Sequence, residues 1–109
     1  MAKVSSVKEI FDNLNEGFQP GKAEGVDAIF QFTLTGDNGG QYWVKVANKK
    51  AEVHEGEHES PTMTLTAVAN DYIAMVNGEL APMTAFMQGK IKVKGDMGLA
   101  LKLQAMFGL

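Results

Sequence analysis

Apolar and polar side chains alternate along Val26-Asp-Ala-Ile-Phe-Gln-Phe-Thr-Leu-Thr35, near the middle of the first half of the chain. The apolar face of this stretch consists of Ala28, Phe30, Phe32 and Leu34. The opposite face is polar and consists of Gln31, Thr33 and Thr35. A period of two residues predicts a β-strand that covers a core with one face and meets water with the other.

Two further strands are predicted directly after the first one. Residues 36–40, Gly-Asp-Asn-Gly-Gly, predict a hairpin loop. On the returning strand, Tyr42, Val44 and Val46 share one face while Trp43 points to the other. A tight turn at Asn48 then leads into a third strand over residues 51–55. These signals predict an antiparallel meander of three strands.

The remaining segments predict helices and two more strands. An apolar spacing of three and four over residues 4–14 predicts a first helix, with Ser5 or Ser6 as its cap. Strands are predicted at residues 62–66 and 90–94, and helices at residues 72–76, 83–88 and 97–107. Asn70 or Asp71 is the predicted cap of the helix at 72–76, and Asp96 that of the last helix. The predicted class is therefore α+β.

Composition limits the kinds of partner. The chain has 109 residues, which suits a single domain over residues 1–109, and a net charge of -3. It contains neither arginine nor cysteine, which argues against nucleic acid binding and excludes thiolate chemistry. Its apolar runs are far shorter than the roughly 20 residues of a membrane span. We therefore expect a cytoplasmic protein with no integral membrane span.

The last predicted helix is unusually apolar, because only Lys102 and Gln104 are hydrophilic between residues 97 and 107. A helix that covers one side of a sheet normally keeps a polar face. Three interpretations remain open: a fully buried core helix, a contact with a partner protein or second copy, and a helix that closes over an apolar ligand cavity.

The C-terminal third carries a specific resemblance. Residues 82–104 read Pro-Met-Thr-Ala-Phe-Met-Gln-Gly-Lys-Ile-Lys-Val-Lys-Gly-Asp-Met-Gly-Leu-Ala-Leu-Lys-Leu-Gln. This run closely resembles the C-terminal signature of the sterol carrier protein 2 family. Upstream, Phe30-Gln-Phe32, Tyr42-Trp43-Val44 and residues 72–78 fit the same family in the same order.

The resemblance implies a five-stranded, mostly antiparallel sheet with about five helices packed on one face, enclosing a hydrophobic tunnel. The implied function is carriage of fatty acids, fatty acyl-CoA or sterol-like lipids rather than catalysis. It also implies a monomer rather than a dimer, and allows transient membrane contact. Neither a cofactor nor a metal is expected.

The resemblance also implies which side chains contact the lipid. The sheet would contribute Phe30, Phe32, Tyr42, Val44 and Leu65, and the helices would contribute Ile73, Val76, Phe86, Met97, Leu101, Gln104 and Met106. Gln104 matches a signature glutamine and is the candidate hydrogen-bond partner of a head group. Tyr42 occupies the inward position where the family often has tryptophan, so Trp43 is expected to point away from the tunnel.

The sequence also allows two rival functions, and two further motifs have structural interpretations. The alternative is a non-catalytic accessory or dimerisation module whose apolar C-terminal helix contacts a partner protein. A small enzyme is a weaker rival, because Asp71 and Asp96 are better interpreted as helix caps than as acids in a cavity.

The run of carboxylates around His54 and His58 is interpreted as a solvated strand end and loop. The Gly95-Asp-Met-Gly98 turn reads as helix capping rather than phosphate binding.

Overall fold

One five-stranded sheet forms the centre of the computed structural model, which describes residues 3–107 apart from the side chain of Gln104. Its strands are β1 (Ala28–Thr35), β2 (Gly40–Ala47), β3 (Lys50–Glu55), β4 (Met63–Val68) and β5 (Ile91–Gly95). They lie in the order β3-β2-β1-β4-β5. Only the central β1–β4 pair is parallel, and the other three pairs are antiparallel. The predicted meander and the mostly antiparallel sheet are confirmed.

Register places the apolar residues of neighbouring strands side by side. Phe32 lies between Tyr42 of β2 and Leu65 of β4. Phe30 lies in the same way between Val44 and Met63 of those strands. Because strand residues two apart share a face, these side chains form one apolar wall. All the helices lie on this side, so one face of the sheet is covered, as predicted.

Four α-helices cover the wall: α1 (Val7–Asp12), α2 (Ala69–Val76), α3 (Pro82–Met87) and α4 (Met97–Phe107). Two single 3₁₀ turns, Leu14–Gly17 and Pro20–Lys22, follow α1. The residues that the structure describes thus contain four α-helices and two 3₁₀ turns, where about five helices were predicted. The crossover that parallel pairing of β1 and β4 requires runs through β2 and β3.

Helix boundaries follow the capping chemistry at α1 and depart from it at α2. Ser6 caps α1, because its hydroxyl accepts a hydrogen bond from the Glu9 backbone N–H at 3.2 Å. The predicted helix over residues 72–76 is present, but its predicted cap was wrong, since α2 begins at Ala69 directly after β4 without a side-chain cap. Instead of capping the helix, the Asn70 side chain accepts a hydrogen bond from Asn38 across the β1–β2 loop.

The sheet face opposite the helices is mostly polar, and one buried side chain lies on it. Gln31 of β1 is almost fully buried beneath the loop that joins β3 to β4. Its amide nitrogen donates to the Gly56 carbonyl at 3.2 Å, and its amide oxygen accepts from the His58 backbone N–H at 2.8 Å. Trp43 lies on the same face, as predicted, and stacks on His54 with ring centroids 4.2 Å apart.

Candidate functional site

The apolar wall of the sheet contains the five strand residues that were predicted to contact a lipid. Phe30, Phe32, Val44 and Leu65 are buried beneath the helices, and Tyr42 is half-buried beside them. The ring of Phe11 in α1 stacks on Tyr42 at 4.3 Å and meets Phe32 edge-on at 5.1 Å. The sheet side of the predicted site is therefore brought together as one continuous aromatic and aliphatic surface.

The helical side of the predicted site is divided. Met106 is fully buried, and Ile73 and Val76 are half-buried against the core. In contrast, the exposed fractions of Phe86, Met97 and Leu101 are 44%, 48% and 69%. The cause is that α3 and α4 pack through the opposite side of each helix, where the buried residues are Ala85, Leu103, Met106 and Phe107.

One small apolar cavity lies between α1, the first 3₁₀ turn, α2 and the end of α4. Its volume is about 20 Å³. It is lined by Val4, Ile10, Asn13, Leu14, Gly17, Val76 and Phe107. A space of this size holds about one water molecule and is too small for a lipid chain. Residues 3–107 therefore do not show the predicted tunnel as an open passage.

Tyr72 is a polar residue of the core that the sequence did not single out. Its side chain is fully buried, and its hydroxyl has no hydrogen-bond partner among the described residues. Burial raises the pKa of this phenol above its ordinary value, so the hydroxyl stays protonated. Its ring lies 6.0 Å from that of Phe32, which places it against the apolar wall. The sequence offered one signal for its burial: Tyr72 lies one helical turn before Val76, which was predicted to contact the lipid.

Electrostatics at the wall involve Tyr42 and its surroundings. Desolvation is the main cause that raises the pKa of the Tyr42 hydroxyl, and the nearby carboxylates of Glu55 and Asp12 raise it further.

The predicted head-group residue, Gln104, has its side chain outside the described residues. Its role therefore stays a prediction.

The remaining candidate motifs have structural explanations. Asp96 caps α4, because its carboxylate accepts a hydrogen bond from the Gly98 backbone N–H at 2.8 Å. The ring of His58 packs edge-on against Trp43, and its Nδ1 accepts from the Ser60 backbone N–H at 2.9 Å. Within residues 3–107, no three histidine, aspartate or glutamate side chains converge as metal ligands. The same residues include no helix that is both long enough and apolar enough to cross a membrane.

Relatives of known structure share this arrangement of sheet and helices. The palmitated Sterol Carrier Protein 2 Like 2 of Aedes aegypti superposes with a TM-score of 0.73 at 28% identity, covering 96% of each chain. An inverting sec-alkylsulfatase from Pseudomonas contains the same fold, with a TM-score of 0.78 at 23% identity. The match covers 100% of this chain and 17% of the sulfatase.

Sequence comparison identifies the family. The hydroxysteroid dehydrogenase-like protein 2 of Xenopus laevis is 34% identical over 105 residues, which are 95% of this chain and 25% of that relative. This chain thus spans about a quarter of the length of that curated relative. Residues 7–108 match the SCP-2 sterol transfer family. The chain therefore belongs to the SCP-2 sterol transfer family, whose fold its sheet and helices reproduce.

Proposed function

We propose that this chain is a single lipid-carrier domain, residues 1–109, which binds fatty acids, fatty acyl-CoA or sterol-like lipids between its helices and its sheet. The observation that supports the proposal most directly is the apolar wall formed by Phe30, Phe32, Val44 and Leu65 beneath short helices. Each methylene transferred from water to such a surface contributes about 0.8 kcal/mol. A long chain can therefore separate the helices from the sheet without polar contacts.

The proposal assigns no catalytic step to the domain itself. It binds and releases its guest, and chemistry belongs to the enzymes that such domains accompany in longer relatives. We place the domain in the cytoplasm as a monomer. The palmitate named for the Aedes aegypti relative makes a long-chain fatty acid the first ligand to test.

The decisive experiment is a titration of the delipidated protein with a fluorescent long-chain fatty acid. We expect saturable one-to-one binding with micromolar or tighter affinity. Val76→Phe narrows the cavity beside α2 and should weaken binding. Met87→Phe is the matched control, because this side chain is 79% exposed and lies outside the predicted site. An absence of binding by the folded wild-type protein would overturn the proposal.

Transient membrane contact is part of this proposal, and one surface suits it. We define the basic apolar surface as Met83, Phe86 and Met87 of α3, Met97 and Leu101 of α4, and the exposed lysines Lys90, Lys92, Lys94 and Lys102. Both helices pack on β5, so these residues lie around one edge of the sheet, with Lys92 and Lys94 on the sheet face opposite the helices. Residues 80–107 contain four lysines and one aspartate, net +3, in a chain of net charge -3.

Chemistry favours an anionic bilayer as the partner of the basic apolar surface. None of its four lysines forms an ion pair with a carboxylate of residues 3–107. Lysine is depleted at protein–protein interfaces, where arginine, tyrosine and tryptophan are enriched. A group of lysines at the same sheet edge as exposed apolar side chains instead suits a lipid interface, where each basic residue contributes about 1 kcal/mol.

Vesicle co-sedimentation tests this contact. We expect binding to vesicles of phosphatidylcholine with phosphatidylglycerol and little binding to phosphatidylcholine alone. The double change Lys92→Gln and Lys94→Gln should weaken binding roughly 25-fold, at about fivefold per lysine. Lys45→Gln with Lys50→Gln is the matched control, since both lysines are exposed on strands far from β5. Equal loss in both double variants contradicts the assignment of the surface.

The alternative is an accessory module that contacts a partner protein through α4. The exposed Met97 and Leu101 support it, as does the occurrence of the fold within a much longer sulfatase. Sedimentation velocity separates the two functions. A stable dimer that carries no lipid favours the accessory module, whereas a monomer that binds fatty acid favours the carrier.

A further inference from the structure

Among the described residues, the hydroxyl of Tyr72 has no hydrogen-bond partner, although the other buried polar side chain, that of Gln31, is fully bonded. On the opposite face of the sheet, both ends of the Gln31 amide are hydrogen-bonded to the backbone. Tyr72 is equally inaccessible to water, yet its hydroxyl bonds to none of the described residues. An unpaired buried hydroxyl destabilises a fold, and phenylalanine would fill the same space without that cost. The hydroxyl therefore calls for a partner other than the protein's described residues.

The surroundings of Tyr72 restrict what that partner can be. All ten lysines of the chain are exposed, and there is no arginine. Among the residues that the structure describes, the buried ones on the helix-facing side of the sheet are otherwise hydrophobic. A carboxylate or phosphate moved to this place would be a buried anion without a countercharge, which is strongly unfavourable. A neutral oxygen that accepts one hydrogen bond meets no such penalty.

We propose that Tyr72 anchors the neutral oxygen of a lipid, such as the hydroxyl of a fatty alcohol or sterol or the carbonyl of an acyl ester, by donating its phenolic hydrogen. This inference rests on the proposed function, because the guest reaches Tyr72 only when it enters between helices and sheet.

The same arrangement predicts that charged lipids bind in another orientation. A fatty acid keeps its carboxylate at the protein surface, where water and exposed lysines solvate it. Its alkyl chain then contacts the apolar wall without using the Tyr72 hydroxyl. Two lipids with the same tail and different head groups should therefore respond differently to loss of that hydroxyl.

Competition binding against a fluorescent fatty acid tests this prediction with hexadecanol and palmitic acid. For Tyr72→Phe, we expect the affinity for hexadecanol to fall roughly 5- to 10-fold, the size of one hydrogen bond. The affinity for palmitic acid should stay within about twofold of wild type, since its carboxylate makes no bond to Tyr72. Thermal unfolding of the ligand-free variant serves as the folding control, and its stability should equal or exceed that of wild type.

Each other outcome has a definite meaning. Unchanged affinity for hexadecanol in Tyr72→Phe overturns the anchor while leaving the carrier function intact. An equal loss for both lipids also overturns it, because the residue would then act only through packing. If the folded wild-type protein binds neither lipid, the proposed function itself fails and the anchor fails with it.

Discussion

At the scale of single residues, buried polar groups distinguish the two faces of the sheet. Gln31 ties β1 to the loop between β3 and β4 through hydrogen bonds at both ends of its amide. Tyr72 places a hydroxyl that bonds to no described residue on the other side of the same sheet. The first group has a structural role that the fold itself satisfies. The second is the group that we propose as the anchor of a neutral lipid.

Removal of the Gln31 amide should therefore destabilise the protein. In Gln31→Ala, the His58 backbone N–H and the Gly56 carbonyl lose their partner beneath the loop. We expect the free energy of unfolding to fall by about 2 kcal/mol. Urea denaturation measures the change, and Trp43 reports it by fluorescence because its ring contacts His58. Gln41→Ala is the matched control, as that side chain is exposed on β2 and should change stability little.

At the scale of elements, the junction between β5 and α4 depends on a glycine. Gly95 has a φ of +102°, and a Cβ added there would lie 2.5 Å from the Thr62 carbonyl oxygen. Both the backbone angle and the close approach to β4 exclude a side chain. The edge strand can pair with β4 and turn into α4 only because this position has none.

Substitution at this junction should be costly. For Gly95→Ala we expect a loss of about 3 kcal/mol or more, which combines backbone strain with displacement of β5 from β4. Gly21→Ala makes the same change where the added Cβ meets nothing within 4 Å. For this control we expect the free energy of unfolding to stay unchanged or to rise by a few tenths of a kcal/mol, and by no more than about 1 kcal/mol. Comparable melting temperatures for the two variants would contradict this account of Gly95.

Element by element, the sequence predicts what depends on local chemistry. The alternation through β1 and β2 and the Ser6 cap of α1 are local signals, and the structure confirms them. The start of α2 was misplaced because β4 passes into the helix without a capping residue, while Asn70 and Asp71 offer an attractive local cap. Exposure of Phe86 and Leu101 could not be predicted, because helical spacing shows which residues share a face but not whether another element covers it.

At the scale of the whole molecule, stability arises from the core rather than from charge. Two ion pairs join described residues, Lys3–Glu79 at 3.3 Å and Lys8–Asp12 at 2.7 Å. Both pairs are largely exposed to water, where such contacts contribute little. The hydrogen bond to Asp12 is the main cause that raises the pKa of Lys8, and the negative charge of Asp12 raises it further. The exposed pair nevertheless contributes little to the stability of the fold.

Thermal unfolding should consequently be insensitive to sodium chloride. From low to physiological ionic strength, we expect the free energy of unfolding to change by less than about 1 kcal/mol, because exposed pairs are already weak and are readily screened. Differential scanning calorimetry at neutral pH provides the measurement. A pronounced loss of stability in salt would show that charge contacts, rather than the apolar wall, dominate the fold.

The parallel pairing of β1 with β4 has a consequence for synthesis. When the ribosome has released β1 to β3, one edge of β1 is still unpaired, because its partner begins only at Met63. At ordinary elongation rates the interval between Thr35 and the end of β4 lasts on the order of seconds. During that time the nascent chain presents a strand edge rich in phenylalanine to its neighbours. The nascent chain is therefore most exposed to mispairing and to chaperone capture before β4 has been translated.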